Sequence, residues 1–200
     1  MSSHIRAIQT TLKNAGFYNG EIDGIAGKLT VEAVNKAAAK AMVGATVKEP
    51  TSPVKESSFV LGERSLKNLE GVHPDLVAVV KRAIQISRMD FTVIEGVRTK
   101  ERQRELVRAG ASKTMNSRHI TGHAVDIVPV KNGAISWRID DYYPLAEAMA
   151  SAADELGVRV RWGGSWSIIN NRKNHPSEWI KAYRAGGGKF IDGPHFEIPA

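Results

Sequence analysis

Residues 119–137 read HITGHAVDIVPVKNGAISW and decide the fold of the larger part of the chain. The segment GHAVDIVPV is rich in β-branched residues and predicts a strand. The Lys-Asn-Gly that follows is typical of a tight turn, so AISW predicts a short antiparallel return strand. Around this hairpin, helical patterns alternate with short strands, among them FTVIEGV, VRVRW and a terminal HFEI. We therefore predict an α+β fold with a small, mostly antiparallel sheet and flanking helices.

The same stretch contains two of the six histidines of the chain. Side chains on a strand alternate between its faces, so His123 and Asp126, three positions apart, point in opposite directions. His119 precedes the strand and can fold back over the face that carries Asp126. This interpretation pairs His119 with Asp126 and leaves His123 out. In the alternative that residues 119–126 are helical, all three side chains share one face and His123 becomes a metal ligand.

A third ligand is needed, because catalytic zinc takes three protein ligands and leaves one position open for water. The chain has no cysteine, so nitrogen and oxygen atoms must hold any metal. The best remaining candidate is His195 in IDGPHFEI. Residues 192–195 have the composition of a β-turn, which places Asp192 beside His195. A carboxylate there can accept a proton from attacking water and return it to a leaving amine, so the pattern indicates a metallohydrolase.

These residues also resemble a known family. The segment SRHITGHAVD, residues 117–126, is similar to the SxHxxGxAxD signature of the LAS-type zinc peptidases. That family includes D-Ala-D-Ala dipeptidases and carboxypeptidases and the L-alanyl-D-glutamate endopeptidases of phage lysis systems. The resemblance covers residues 60–200 and implies that His119, Asp126 and His195 bind Zn2+, with Asp192 as the catalytic acid and base. In having an aspartate at position 192 the chain resembles the phage endopeptidases, whereas the dipeptidases have a glutamate there.

Further positions follow from the same resemblance. EGVRT is similar to a strand-end arginine segment of the family, which makes Arg98 a catalytic candidate that binds the scissile carbonyl or a substrate carboxylate. A surface salt bridge is the alternative for Arg98. Ser117 matches the signature serine, which either contacts substrate near the metal or caps the loop. RWGGSW is similar to the WGGDW-type segment of the family, with Ser165 where an acid often stands. Trp162 and Trp166 either line the substrate groove or belong to the core.

The front of the chain predicts a separate, small all-α module. IRAIQTTLKNAGFYNGEIDGIAGKLTVEAV resembles peptidoglycan-binding domains, which have a helix, a G-x-x-D-G-x-x-G-x-x-T loop and a second helix. The resemblance implies a shallow binding surface beside the loop, with Tyr18 and Asn19 as candidate contacts. The usual domain has three helices, so either this module is truncated or residues 62–69 supply the third. We divide the chain into this module at 1–43, a Pro-containing linker at 44–60 and a zinc peptidase domain at 61–200.

The net charge of +7 favours a polyanionic partner such as nucleic acid, an anionic membrane face or an acidic wall polymer. The Lys and Arg residues are scattered and form no aromatic-interleaved patch, which argues against nucleic acid. The N-terminus lacks the pattern of a signal peptide, and no apolar run is long enough to span a bilayer. We therefore expect bacterial peptidoglycan as the partner, no nucleic acid, no stable membrane insertion, and a monomer.

Together these features resemble a phage endolysin that cleaves the L-alanyl-D-glutamate bond of the peptidoglycan stem peptide. Such a protein would stay in the host cytoplasm until a separate holin releases it to the cell wall. Two alternatives remain open. One is a D,D-carboxypeptidase of the same fold that acts in wall remodelling, and the other is a non-catalytic wall-binding protein.

Overall fold

The computed structural model describes residues 3–44 and 56–199, with side chains for 5–37 and 56–199. Contacts along the chain divide it into two compact units, Met1–Pro53 and Val54–Ala200. The helices of the described residues are α1 (Ser3–Asn14), α2 (Lys28–Gly44), α3 (Glu63–Asn68), α4 (Pro74–Ile86), α5 (Lys100–Arg108), α6 (Tyr143–Leu156) and α7 (Pro176–Ala185). The strands are β1 (Asp90–Glu95), β2 (Ala124–Lys131), β3 (Ala134–Ile135), β4 (Arg161–Trp162), β5 (Ser167–Ile168) and β6 (His195–Glu197). No helix of these ranges is long and apolar enough to cross a membrane.

The strands form one sheet in the order β1-β2-β6-β4-β5, with β3 paired to β2, and every pairing is antiparallel. The predicted hairpin lies between β2 and β3. Asn132 and Gly133 have φ values of 53° and 76°, the left-handed conformation that a two-residue hairpin turn requires at both central positions. The α+β prediction with a small antiparallel sheet is confirmed.

The core of the second unit lies between the sheet and the pair of helices α4 and α6. The apolar stripe of α4 is fully buried at Leu76, Val79, Val80 and Ala83, at the helical spacing that the sequence displays. Pro74 occupies the first turn of α4, where its missing N–H costs no hydrogen bond. The sheet is therefore covered on one side by helices, and its functional residues lie at the ends of β1, β2 and β6.

Helix α3 packs on β1 of the second unit. Ser65 Oγ lies 2.8 Å from Thr92 Oγ1, and Asn68 Nδ2 donates to the carbonyl of Val93 at 2.8 Å. Residues 62–69 therefore do not supply a third helix to the front module, which leaves the alternative of a short module with α1 and α2. Most of the predicted linker, residues 45–55, lies outside the described residues, and the division at 44–60 stays a prediction.

The strands of the structure differ from the predicted ones in two places. VRVRW forms a strand only at Arg161–Trp162, because β6, its partner in the sheet, is itself only three residues long. The Ser-Ile pair at 167–168 forms β5 on the other side of β4, and its two residues are too few to give a recognisable alternation.

Candidate metal centre and active-site cavity

The three predicted metal ligands lie together. His119 comes from the 3₁₀ turn Arg118–Thr121, Asp126 from β2, and His195 from β6, where it pairs directly with Asp126. His119 Nε2 and His195 Nδ1 are 3.2 Å apart, and they lie 3.2 and 3.5 Å from Asp126 Oδ1. Tetrahedral zinc with bonds of about 2.0–2.1 Å separates its ligand atoms by about 3.3–3.4 Å. The donor set and its spacing therefore fit a single zinc ion.

A sharp turn brings His119 back over β2. Ser117 caps the 3₁₀ turn, where its Oγ accepts a hydrogen bond from the backbone N–H of His119 at 3.4 Å. Gly122 ends the turn with a φ of 71°, and a Cβ built there would lie 2.5 Å from the carbonyl oxygen of Gly71. Glycine is therefore required at 122 both for the backbone conformation and for the close approach of the chain.

Each histidine is oriented by a hydrogen bond from its second ring nitrogen. His119 Nδ1 lies 2.7 Å from the carbonyl oxygen of Gly96, and His195 Nε2 lies 2.8 Å from Glu197 Oε2. A carbonyl only accepts, so Nδ1 of His119 carries the proton and Nε2 is free to bind metal. The Glu197 carboxylate, itself bound by Arg161 Nε at 2.7 Å, fixes His195 in the same way. Metal-binding histidines are commonly held by such partners.

Glu197→Gln is expected to weaken metal binding by about 10- to 100-fold while the fold is kept, because the amide orients His195 less well and lowers its basicity. The measurement is competition for zinc against a chelator of known affinity. Glu178→Gln, at an exposed position of α7, is the matched control. Equal zinc affinity in the parent and Glu197→Gln proteins would contradict this role for Glu197.

Arg98 is held inside the site and is not a surface residue. Its Nη2 lies 3.1 Å from Asp126 Oδ2 and 2.5 Å from Glu95 Oε2, and Nη1 donates to Gln103 Oε1 at 2.8 Å. The side chain is only 7% exposed. The alternative of a surface salt bridge is therefore wrong, because the ion pairs of Arg98 with Glu95 and Asp126 are largely buried. The guanidinium donates a hydrogen bond to Oδ2 of Asp126, so Oδ1 is left to face the two histidines. Contact between Arg98 and substrate stays a prediction.

The charges of the centre are strongly coupled. Burial raises the pKa of Asp126, but hydrogen bonds from His119 and His195 outweigh it and hold this pKa well below its usual range. Burial lowers the pKa of His195, whereas Asp126 and Glu197 raise it to a net value of about 9. In the absence of metal, this raised pKa means that a proton competes for the ring nitrogen of His195 that would bind the ion. A metal ion that binds there must displace this proton, so metal affinity falls as the pH falls.

Asp192 lies beside the centre without joining it. The backbone N–H of His195 donates to the Asp192 carbonyl at 3.3 Å, which closes the predicted turn, and the Asp192 N–H donates to Gly163 O at 3.0 Å. Its carboxylate is not among the converging ligand atoms, which come from His119, Asp126 and His195. Burial, with the negative charge of Asp126, raises the pKa of Asp192. A carboxylate with a raised pKa is suited to exchange protons near neutral pH.

The three ligands and Asp192 line a cavity of about 430 Å³, which is within the usual range for ligand pockets. Arg98, Ser117 and Trp166 also line it, and their contact with substrate stays a prediction. Trp166 has a φ of 46°, and its ring lies 5.4 Å from the ring of His195.

Other predicted site residues lie elsewhere. His123 Nδ1 lies 2.7 Å from the carbonyl of Thr121, and its ring is 5.0 Å from His73, away from the cavity. Trp162 is fully buried in the core, where its Nε1 donates to Gly193 O at 2.7 Å. The groove-lining role considered for Trp162 is therefore wrong. Ser165 is buried too, and its hydroxyl lies 2.8 Å from that of Ser167.

In the front module, Tyr18 is an internal residue. It is 5% exposed and donates its hydroxyl proton to the carbonyl of Glu21 at 2.8 Å, so a role as a surface contact is wrong. Asn19 is exposed beside it. Gln9, which the sequence analysis did not single out, is fully buried and contacts Asp23 at 2.8 Å and Thr30 at 3.1 Å. Its place on the buried face of α1, with hydrogen bonds to Asp23, the carbonyl of Ile25 and Thr30, explains why α1 stays against the loop.

Three residues that shape the site were missed from the sequence. Glu197 was not singled out as a partner of His195, although the spacing His-x-Glu on a strand places both side chains on one face. Arg161, which binds Glu197, gave no signal because its partner is distant in sequence. Gly163 is needed because a Cβ there would lie 2.5 Å from the carbonyl oxygen of Asp192.

The chain is similar to several known proteins. Residues 57–198 match the family model described as phage L-alanyl-D-glutamate peptidase, and residues 2–37 match a peptidoglycan-binding domain model. The L-alanyl-D-glutamate peptidase of Escherichia phage T5 is 36% identical over 114 residues, 55% of this chain and 83% of that protein. The enzyme of the same name from Listeria phage A118 is 31% identical over 138 residues, 68% of this chain and 41% of that protein.

A solved structure is similar as well. The crystal structure of the Serratia marcescens L-Ala D-Glu endopeptidase ChiX matches with a TM-score of 0.57 and 42% sequence identity. The match covers 70% of this chain and 90% of that one.

Proposed function

The chain belongs to the family of phage L-alanyl-D-glutamate peptidases, and from this premise we propose that it is a zinc endopeptidase of bacterial peptidoglycan. It hydrolyses the L-alanyl-D-glutamate bond of the stem peptide during host cell lysis. The observation that carries this proposal is the convergence of His119, Asp126 and His195 beside Asp192 in one cavity, within the segment that matches the family.

His119, Asp126 and His195 hold the zinc ion in this proposal. Bound zinc would polarise the substrate carbonyl and lower the pKa of water to about 7. The set of two imidazoles and one carboxylate is of the mixed nitrogen and oxygen type found at catalytic zinc. Arg98 holds Asp126 in position through its hydrogen bond to Oδ2, and Glu197 orients the ring of His195 through Nε2.

Asp192 moves the proton. Its carboxylate accepts one proton of the attacking water while the oxygen of that water bonds to the L-alanyl carbonyl carbon. As the C–N bond breaks, Asp192 returns the proton to the nitrogen of the D-glutamyl residue, which leaves as an amine. The raised pKa makes the Asp192 carboxylate a stronger base than an ordinary aspartate, which favours the first of these proton transfers.

Digestion of purified wall separates this function from its alternatives. Mass analysis should find released peptides with a new amino-terminal D-glutamate. The glycan strands should keep only L-alanine from each cleaved stem peptide. Release of terminal D-alanine would indicate a D,D-carboxypeptidase instead. A wall-binding protein without activity would release nothing, with or without added zinc.

The front module directs the enzyme to the wall in this proposal, and a separate holin gives it access from the host cytoplasm. Support comes from the peptidoglycan-binding match at residues 2–37 and from the net positive charge, which suits an anionic envelope.

Deletion of residues 1–55 is expected to spare hydrolysis of a soluble stem peptide and to weaken binding to intact sacculi. The cut should not extend further, because Ser57 Oγ donates to the carbonyl of Ile84 at 2.5 Å and Phe59 packs on the core of the second unit. The measurements are a peptide cleavage assay and co-sedimentation with sacculi. Equal co-sedimentation of the full and shortened proteins would contradict a binding role for the module.

A further inference from the structure

A second groove opens directly beside the candidate active site. It has a volume of about 470 Å³ and shares Trp137 and Pro194 with the active-site cavity. Pro194 belongs to the turn that carries Asp192 and His195, so the groove begins next to the proposed reacting groups. We call it the α7 groove, after the helix that supplies Ile180, Lys181 and Arg184 to its wall.

The chemistry of this groove is apolar with a cationic end. Ile139, Tyr143 and Ile191 supply apolar surface, and both charged residues of its lining, Lys181 and Arg184, are cations. Lys181 Nζ lies 2.7 Å from Glu178 Oε1 and is partly neutralised. Arg184 forms no ion pair with any residue that the structure describes, and it stands exposed in the last turn of α7. The groove therefore presents a guanidinium that suits a carboxylate.

Trp137 stands at the junction of the two cavities. Trp137 is 66% exposed, compared with 40% for Phe190, the other exposed aromatic residue in the described part of the second unit. An indole in this position adds apolar surface on both sides of the junction. A bound chain that passes from one cavity to the other must cross it.

We propose that the α7 groove binds the anionic peptide segment that follows the D-glutamyl residue of the substrate, with Arg184 holding a carboxylate. This inference rests on the proposed function and adds a binding site to it. The peptide segment beyond the D-glutamyl residue ends in a free carboxylate, so its far end carries the negative charge that Arg184 would hold. An extended peptide advances about 3.3–3.6 Å per residue, so a few residues are enough to reach from the centre into the groove.

Cleavage of two soluble substrates tests the inference. One ends at the D-glutamyl residue, and the other continues for three residues to a free carboxylate. Arg184→Ala should raise KM about threefold to tenfold for the long peptide, the effect of losing a partly screened charge-assisted hydrogen bond, and should leave the short one unchanged. Arg184→Lys should restore part of the loss. Arg108→Ala, which also removes an arginine from the last turn of a helix, is the matched control.

A long peptide whose terminal carboxylate is amidated separates charge from size. The parent protein should bind the amidated peptide as weakly as the Arg184→Ala protein binds the peptide with a free carboxylate. The Arg184→Ala protein should bind both peptides equally. An equal effect on short and long substrates, or no effect on either, would overturn the proposal. A loss confined to substrates that keep their glycan would assign the groove to the sugar strand and overturn it too.

Binding of the product peptide, which begins with D-glutamate, provides a readout that does not depend on cleavage. Titration followed by calorimetry should give weaker binding for Arg184→Ala and for Trp137→Ala than for the parent. If the parent cleaves no substrate but binds this peptide through Arg184, the proposed function fails and the groove assignment stands. If it cleaves wall but Arg184→Ala binds the peptide as the parent does, the groove assignment fails alone.

Discussion

Asp192→Asn protein is expected to keep its zinc and its fold and to lose about 10²–10⁴-fold in kcat, the contribution that a positioned acid–base group typically makes. The amide has the shape of the carboxylate but cannot accept the proton of the attacking water. KM should change little, because the lost interaction belongs to the transition state. The measurements are zinc content, thermal unfolding and release of amino-terminal D-glutamate, all on one preparation.

The raised pKa of Asp192 adds a stability signature. A carboxyl group whose pKa is higher in the folded than in the unfolded protein stabilises the fold at low pH, and this stability is lost as the pH rises through the folded pKa. Above the folded pKa, the ionised Asp192 therefore destabilises the protein when chelator is present, and the neutral amide removes this cost. Asp192→Asn should unfold at the same temperature as the parent or higher.

Asp140→Asn is the matched control, because Asp140 is an exposed aspartate that lies 3.9 Å from its nearest arginine partner, Arg138. It should keep full activity. A fully active Asp192→Asn protein would assign the proton transfer to another group. An inactive protein that had also lost zinc would make Asp192 a metal ligand.

His195→Ala is expected to abolish hydrolysis by removing the metal. Its loss leaves two ligands, His119 and Asp126, too few to hold catalytic zinc. Zinc affinity should fall by more than about 100-fold, which exceeds the effect expected for Glu197→Gln. Activity should fall to the level of the parent protein treated with chelator. Equilibrium dialysis with zinc and the peptide assay measure both effects.

His123→Ala is the control for this experiment, because it removes a histidine that lies outside the cavity, in the segment that carries His119 and Asp126. It should retain zinc and most of the activity. The helical alternative for residues 119–126 is wrong, because Ala124 already begins strand β2. Full zinc in His195→Ala protein, or loss of zinc from His123→Ala, would contradict the ligand assignment.

The local parts of the site could be predicted from the sequence. Alternation along β2 separates Asp126 from His123, and the turn composition of residues 192–195 places Asp192 beside His195, since both patterns depend only on neighbours in the chain. The pairing of Asp126 with His195 across β2 and β6 is a contact between distant segments. Composition alone does not give such a register.

Burial was harder to predict for aromatic residues. Trp162 and Trp166 lie four positions apart in one glycine-containing segment. Because both are tryptophans, residue type alone does not tell which one packs in the core and which one lines the groove. The structure separates them because Trp162 lies on β4 and faces the core, while Trp166 follows the turn with a positive φ and reaches the cavity. Tyr18 was misplaced for a similar reason, since its partner Gln9 lies on the preceding helix.

Zinc titration of the chelated protein tests the central claim most directly. The protein is stripped of metal, purified wall is added, and the release of amino-terminal D-glutamate is followed as zinc is returned. The account predicts no release without metal and a rise that reaches its plateau at one zinc per chain, with the cut only between L-alanine and D-glutamate. Release that persists in the stripped protein, or a cut at another bond, would contradict it.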